Sequence, residues 1–446
     1  MFQVLALLFS FSPALAADLP HLDKDFTCLD AKQAARYVDD FSIDVGSFGG
    51  LDLCDNARDT KKLLNDIYLI DKTEFGAEVN HPFVRGMVDR DQYYSWMKSQ
   101  TRGVNRGHDI PFATAYNSWG YFTMQDGWAA LSTLGRVGTI IHEARHTAGY
   151  RHYACDHGPY AASRVAGCDT SYEQGGSHAV EMEYYTRVIL EAKNLNPVYK
   201  SMARLMALGR SNFVFNKTPM KTREGLLARD GAKLTLIDGE KVVDRTGPAV
   251  APDFRLRRTS FGASLVSGTK ARALDLYDAE TSAVEKSDDY SYYKQFQIAR
   301  PTGPGSFKAI EEYDVGNLRF LVVLDNENRV HSYDFPNGVW HDPVTAPRGT
   351  TGFVTTAPGG QRGLFAKIND ASLVPFDASR LSFAAPLAER FPEDALSYAY
   401  LGKTLVRLSS DGRATEAASG APLAKLGQTY TDLINVPLYD AYEVAP

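Results

Sequence analysis

The chain has 446 residues, 44% of them apolar and 23% charged. That is the composition of a folded protein of two to three domains, and it excludes wholesale disorder and a polytopic membrane protein. A formal net charge of −6 leaves no basic surplus to neutralise phosphates, so nucleic acid is not an expected partner.

Val4 to Phe11 is an apolar run too short to span a bilayer. Pro13 breaks it, and Ala14-Leu15-Ala16 follows as a small-x-small cleavage site. This reads as a signal peptide over residues 1–16, with export to the periplasm or the exterior. No later stretch approaches 18 apolar residues, so the exported chain is not expected to span a membrane. Export permits disulfides. Cys28 and Cys54 lie 26 apart and Cys155 and Cys168 lie 13 apart, so these two local pairs are the preferred connectivity of the three available.

Between Phe112 and Met124, aromatic and Thr residues flank Asn117-Ser118-Trp119-Gly120 and predict a hairpin. Leu131, Leu134, Val137, Ile141, Ala144 and Ala148 then recur at three and four, one face of an amphipathic helix. Gly135 and Gly138 on that helix allow close approach of neighbouring chain. Cys155 to Gly176 is rich in Gly, Ser and Tyr and reads as a loop along a cleft wall. Val180 to Lys193 is a second helical stretch. Asn196-Pro197 opens a third, which Gly209 is expected to stop.

Near residue 220 the pattern changes to alternating, turn-rich sequence. One hairpin pattern recurs five times, at Leu234–Asp238, Leu274–Asp278, Leu321–Asp325, Phe365–Asp370 and Leu405–Asp411. The turn aspartates are spaced 40, 47, 45 and 41, which suits one four-stranded propeller blade per repeat. A β-sandwich or irregular barrel is the other architecture with such turn spacing. The expected fold is therefore an α+β domain over residues 17–221, followed by an all-β domain over 222–446 read as a five-bladed β-propeller.

One motif carries chemistry. Residues 142 to 152 read His-Glu-Ala-Arg-His-Thr-Ala-Gly-Tyr-Arg-His, matching H-E-x-x-H-x-x-G-x-x-H at every fixed position. His142 and His146 are four apart and share a helix face, so both imidazoles can reach one Zn²⁺. Glu143 can serve as general base toward a water at that metal. Gly149 can take φ > 0, which lets the chain leave the helix and return His152 as third ligand. Three protein ligands leave a position open, the mark of a catalytic zinc.

These eleven residues resemble the motif of the metzincin clan of zinc metallopeptidases. The resemblance implies a metzincin-like peptidase domain with one catalytic Zn²⁺, His142, His146 and His152 as ligands and Glu143 as catalytic base. Clan members also place a methionine turn beneath the metal, in some families with a metal-binding tyrosine two residues on. Met182 and Tyr184 have that order, but Val180, Tyr184, Val188 and Ala192 also space out as a helix face. A gluzincin-like alternative makes Glu181 or Glu183 the third ligand.

Five of the ten histidines fall between residues 142 and 178. His157 and His178 with Cys155 and Cys168 could form a second, structural zinc site, although export favours a disulfide there. Tyr160 and Tyr172 are candidates to stabilise an oxyanion, with packing as the simpler role. Asp288-Asp289 and Glu311-Glu312 read as solvated charges, since neighbours on a strand face opposite ways. Cys28 would be free to cap a zinc only without a partner in Cys54.

The expected function is that of an exported zinc endopeptidase acting on a protein or peptide substrate. Its propeller would select substrates or dock on a surface glycan or protein ligand. Two other readings stand beside it: a latent scaffold working through the propeller, and a zinc amidase acting on cell-wall material.

Overall fold

The computed structural model describes residues 18–110, 114–156, 166–259, 262–267, 270–278, 307–315, 318–334, 339–356, 363–369, 372–387 and 395–443. The expected signal peptide, His157, Tyr160 and Asp288-Asp289 lie outside them.

Seven helices occupy the described part of the first half: α1 (Ala31–Asp40), α2 (Asp59–Lys72), α3 (Tyr93–Gln100), α4 (Asp126–Ala129), α5 (Thr133–Thr147), α6 (Ser177–Leu190) and α7 (Val198–Phe213). Ser132 caps α5 by accepting from the Gly135 amide, which satisfies one of the free N–H groups at a helix start. Leu134, Val137, Ile141 and Ala144 on α5 are fully buried, as their spacing predicts. Arg136 on the same helix is buried too, and the carboxylates of Asp66 and Asp23 pair with its guanidinium. Helix α7 runs past Gly209, the expected stop, to Phe213. The buried residues Ala207, Leu208 and Ser211 lie on both sides of the glycine, and their packing keeps the chain helical.

A small sheet joins β1 (Gly103–Arg106), β2 (Ala115–Ser118) and β3 (Tyr121–Met124) in the order β1-β3-β2, with β2 and β3 forming the expected hairpin. Short strands β4 (Asp169–Ser171) and β5 (Phe215–Lys217) pair in parallel.

Five antiparallel sheets follow. The first contains β6 (Thr222–Asp230), β7 (Lys233–Asp238) and β8 (Lys241–Thr246), and the second β9 (Arg255–Thr259), β10 (Gly262–Ser267) and β11 (Lys270–Leu274). The third contains β12 (Phe307–Val315), β13 (Leu318–Asp325), β14 (Arg329–Asp334), β15 (Val339–Trp340) and β16 (Val344–Thr345). The fourth holds β17 (Thr350–Thr356), β18 (Gly363–Ile368), β19 (Leu373–Asp377) and β20 (Ser382–Phe383), and the fifth β21 (Ala395–Leu401), β22 (Thr404–Ser409) and β23 (Ala414–Glu416). The last strand, β24 (Asp432–Tyr439), returns to pair with β6 and makes the first sheet four-stranded. The first strands of neighbouring sheets touch in the cyclic order β24, β9, β12, β17, β21 and back to β24.

Three of the five repeats begin on the second strand of their sheet (β13, β18 and β22), and the first begins on β7, the third strand when β24 is counted as the first. Asp325 shows why the turn takes an aspartate: its carboxylate accepts from the amides of Glu327 and Arg329 and closes the turn. The second copy, like the first, is out of phase with the last three. Leu274 ends the third strand, β11, and the matching hairpin is β10–β11. Asp275 there is buried, pairs with Arg204 of α7 and accepts from the Tyr277 amide, so it serves both a contact between helix and sheet and the turn after β11. Glu311 and Glu312 depart from the solvated expectation as well. Glu312 is buried, and Glu311 lies 3.2 Å from the Arg257 guanidinium on β9.

One buried apolar cluster runs from the helices into the first sheets, including Ile140, Val188, Leu208, Leu236, Leu265 and Leu438. The Cys28–Cys54 and Cys155–Cys168 disulfides both form and leave no free cysteine. Among the described residues no helix is long and apolar enough to cross a membrane.

Candidate metal centre

Helix α5 carries His142, Glu143 and His146 toward a cavity of about 900 Å³. The helix ends at Ala148, and Gly149 takes φ +95°, the left-handed conformation that lets the chain reverse. That reversal returns His152. The His142 Nε2 and His152 Nε2 atoms lie 2.9 Å apart, and those of His146 and His152 3.1 Å apart. Two ligands at zinc bond lengths of 2.0–2.1 Å in a tetrahedral arrangement stand about 3.3 Å apart, so the His152 nitrogen is placed to share an ion with either of the other two.

The opposite nitrogen of each imidazole faces an acceptor or a hydroxyl. His142 Nδ1 lies 3.5 Å from Glu181 Oε2, and His152 Nδ1 3.4 Å from Asp169 Oδ1. His146 Nδ1 lies 2.6 Å from the Tyr150 carbonyl and 3.0 Å from Ser177 Oγ. The His146 contacts are hydrogen bonds and orient that ring, while the carboxylates near His142 and His152 stand at ion-pair distance. Burial, then the neighbouring His178, holds His142 well below the ordinary imidazole range. Burial also lowers His146 and takes His152 to about 4. All three rings are thus neutral at pH 7, as metal binding requires.

Glu143 is buried, and its Oε2 has no hydrogen-bond partner among the described residues. Burial first, and the nearby Glu181 second, push its carboxyl up to about 8. A buried carboxyl beside convergent imidazoles is a donor set that could hold a metal ion.

Two residues that the sequence did not single out for this centre complete it. His178, at the start of α6, offers a nitrogen that lies with one from His142 and one from His152 within 4.8 Å of one another. Its Nε2 is 3.0 Å from the Gly167 carbonyl, and its ring stacks on His152 at 4.7 Å. Asp169 also accepts from the His178 and Ala179 amides, which caps α6. Burial alone would raise Asp169, but His152, His178 and the Ala179 amide hold it below the usual carboxylate range. The only available signal was the crowding of histidines between 142 and 178.

The other candidates lie elsewhere. Cys155 and Cys168 are joined to each other, which removes the thiolates of a second zinc site. Met182 and Tyr184 are buried within α6, and Tyr184 packs on Tyr93 and Phe75. Glu181 sits behind His142 and accepts from Tyr185 Oη and Arg210 Nη2. Glu183 turns away and accepts from the Arg85 and Met87 amides. Tyr172 donates to the Phe83 carbonyl and is not among the residues lining the cavity.

The hairpin forms one wall. Asn117 Nδ2 donates to the Glu143 carbonyl at 2.5 Å and to Thr147 Oγ1 at 2.8 Å, tying β2 to α5. Ile110, Tyr116, Trp119, Thr139, Arg151 and Arg210 complete the lining around the imidazoles.

No protein-family model and no curated protein matches the chain. Among solved structures, BBS1N in complex with ARL6DN is similar at 13% identity and a TM-score of 0.25, over 46% of this chain and 64% of that one. AztD of Citrobacter koseri is similar at 11% identity and a TM-score of 0.24, over 48% of this chain and 62% of that one. The chain thus spans less than two thirds of the length of either.

Proposed function

We propose that the protein is an exported zinc hydrolase of metzincin type that cuts peptide bonds. The reading rests chiefly on one observation: the convergence of the His142, His146 and His152 Nε2 atoms beside the unpartnered Glu143 carboxylate. Zn²⁺ held by these imidazoles supplies Lewis acidity, lowering the pKa of a water and polarising a carbonyl oxygen. Glu143 takes the proton from the attacking water and gives it to the leaving amine. Glu181, Ser177 and Asp169 hold the rings in position. The cleft wall formed by β2 excludes water from one side.

The sheets from β6 to β24 are read as a five-bladed propeller, supported by the cyclic order of their first strands. It selects or docks the substrate. Export is supported by the pairing of all four cysteines, which suits an oxidising compartment.

The test is metal analysis with peptide-library cleavage on wild type and Glu143→Gln. One zinc per chain is expected in both, with cleavage reduced about 10²–10⁴-fold in the variant. Protein that binds no zinc, or a variant that cleaves at the wild-type rate, overturns the reading.

A further inference from the structure

Trp119 combines two costs that bring the fold no return. It is the most exposed large hydrophobic side chain among the described residues, at 80%. It also sits at φ +55°, where a bulky side chain is strained. The turn explains the backbone. Ser118 pairs with Tyr121, so Trp119 and Gly120 form a two-residue hairpin loop, and Gly120 is at φ +92°. Such loops ask for Asn-Gly or Gly-Gly. A tryptophan at the first position is the wrong residue for the turn and for solvent, and conflicts of this kind mark functional sites.

Its placement gives the reason. Asn117 Oδ1 accepts from the Gly120 amide at 2.8 Å, while the same side chain holds α5 at the Glu143 carbonyl. The loop is therefore fixed to the helix that bears the metal ligands. Trp119 lines the same cavity as His142, Glu143, His146 and His152.

We infer that Trp119 sets the specificity of this cleft by receiving a large apolar side chain of the peptide close to the bond that is cut. The inference rests on the peptidase reading above. An apolar side chain fits better than a sugar, because a sugar face on an indole needs polar side chains alongside it for its hydroxyls. Asn117 on β2 spends both ends of its amide on the protein, which leaves Ser118 as the polar side chain beside the indole on that strand. Ile110, Ala115 and Tyr116 add apolar surface next to it.

The experiment uses the full chain with Trp119→Gly and Trp119→Phe, on peptide pairs that carry Leu or Phe, or else Ala, beside the cut. Trp119→Gly should lower kcat/KM about tenfold on the Leu and Phe peptides and leave the Ala peptides unchanged, with Trp119→Phe close to wild type. The urea midpoint of Trp119→Gly should equal or exceed that of wild type, since the strain is relieved. An unchanged preference, or an equal loss on every peptide, overturns the inference. A second arm measures tryptophan emission in Glu143→Gln, with and without Trp119→Gly, as Leu peptides or cell-wall glycan fragments are added. A change with the Leu peptides that vanishes without Trp119 supports the inference. No change with them, or a change with the glycans alone, overturns it. Wild type that cleaves nothing defeats the peptidase reading, and the emission arm then decides this one separately.

Discussion

Asp169 reaches two structures with one carboxylate: the His152 ring at 3.4 Å and the two amides at the start of α6. Gly176 leaves room for it, since a Cβ there would clash with the carboxylate. Asp169→Asn should weaken zinc binding about 10–100-fold, read by competition with a chromophoric chelator, while the circular dichroism spectrum stays unchanged. Lys61 offers a separate test. It is buried, and its ammonium donates to the Thr27 carbonyl and to Asn65 Oδ1. Burial lowers its pKa to about 8, against the partial opposition of Asp52 and Asp23. Below about pH 8 the folded protein bears the full cost of the buried charge; above the ordinary lysine range it bears none. Stability relative to Lys61→Met should therefore rise as pH climbs from about 8 to 10.5, measured as the difference in urea midpoints. That His142 and His146 face one cavity was legible because a spacing of four puts two side chains on one helix face. The roles of Asp169 and His178 were not, since tertiary packing alone brings them beside His152.

Helices α5 and α6 cross where Gly138 meets Tyr185 and Glu181. A Cβ at Gly138 would clash with Tyr185 Oη and lie 2.8 Å from Glu181 Oε1. Gly138→Ala should cost about 1–3 kcal/mol in urea unfolding, because the helices must part. It should also lower zinc affinity, because Glu181 stands behind His142. The helix periods and the Asn-Ser-Trp-Gly turn were plain from local sequence. The end of α7 was misread, because burial of Ala207, Leu208 and Ser211 outweighs the breaking tendency of Gly209. The repeats at Leu234 and Leu274 fall on third strands, one strand out of phase with the last three, because a turn aspartate can follow either strand alike.

The five sheets are joined at β24, whose pairing with β6 brings residues 432–439 back to 222–229. Around this seam Tyr439 Oη accepts from Asn212 of α7, and the Ala441 carbonyl lies 2.9 Å from His81 Nε2. The end of the chain therefore holds both the sheets and the helices. Deleting residues 432–446 should leave the first sheet open on the β6 side and expose buried Leu226, Leu227 and Ala228. Limited proteolysis should then digest residues 222–431 rapidly, whereas the full chain resists. A truncated protein as resistant as the full one would show that the pairing is dispensable. The approach of three imidazoles was legible in eleven consecutive residues, because one helix and one glycine turn suffice to gather them. The alternation after residue 220 likewise announced β meanders, since side-chain period and turn residues are local properties. Which carboxylates orient the rings, which tryptophan faces the cleft and how the last strand meets the first depend on contacts between residues tens to hundreds apart. Those contacts form only when burial of a common core brings the segments together.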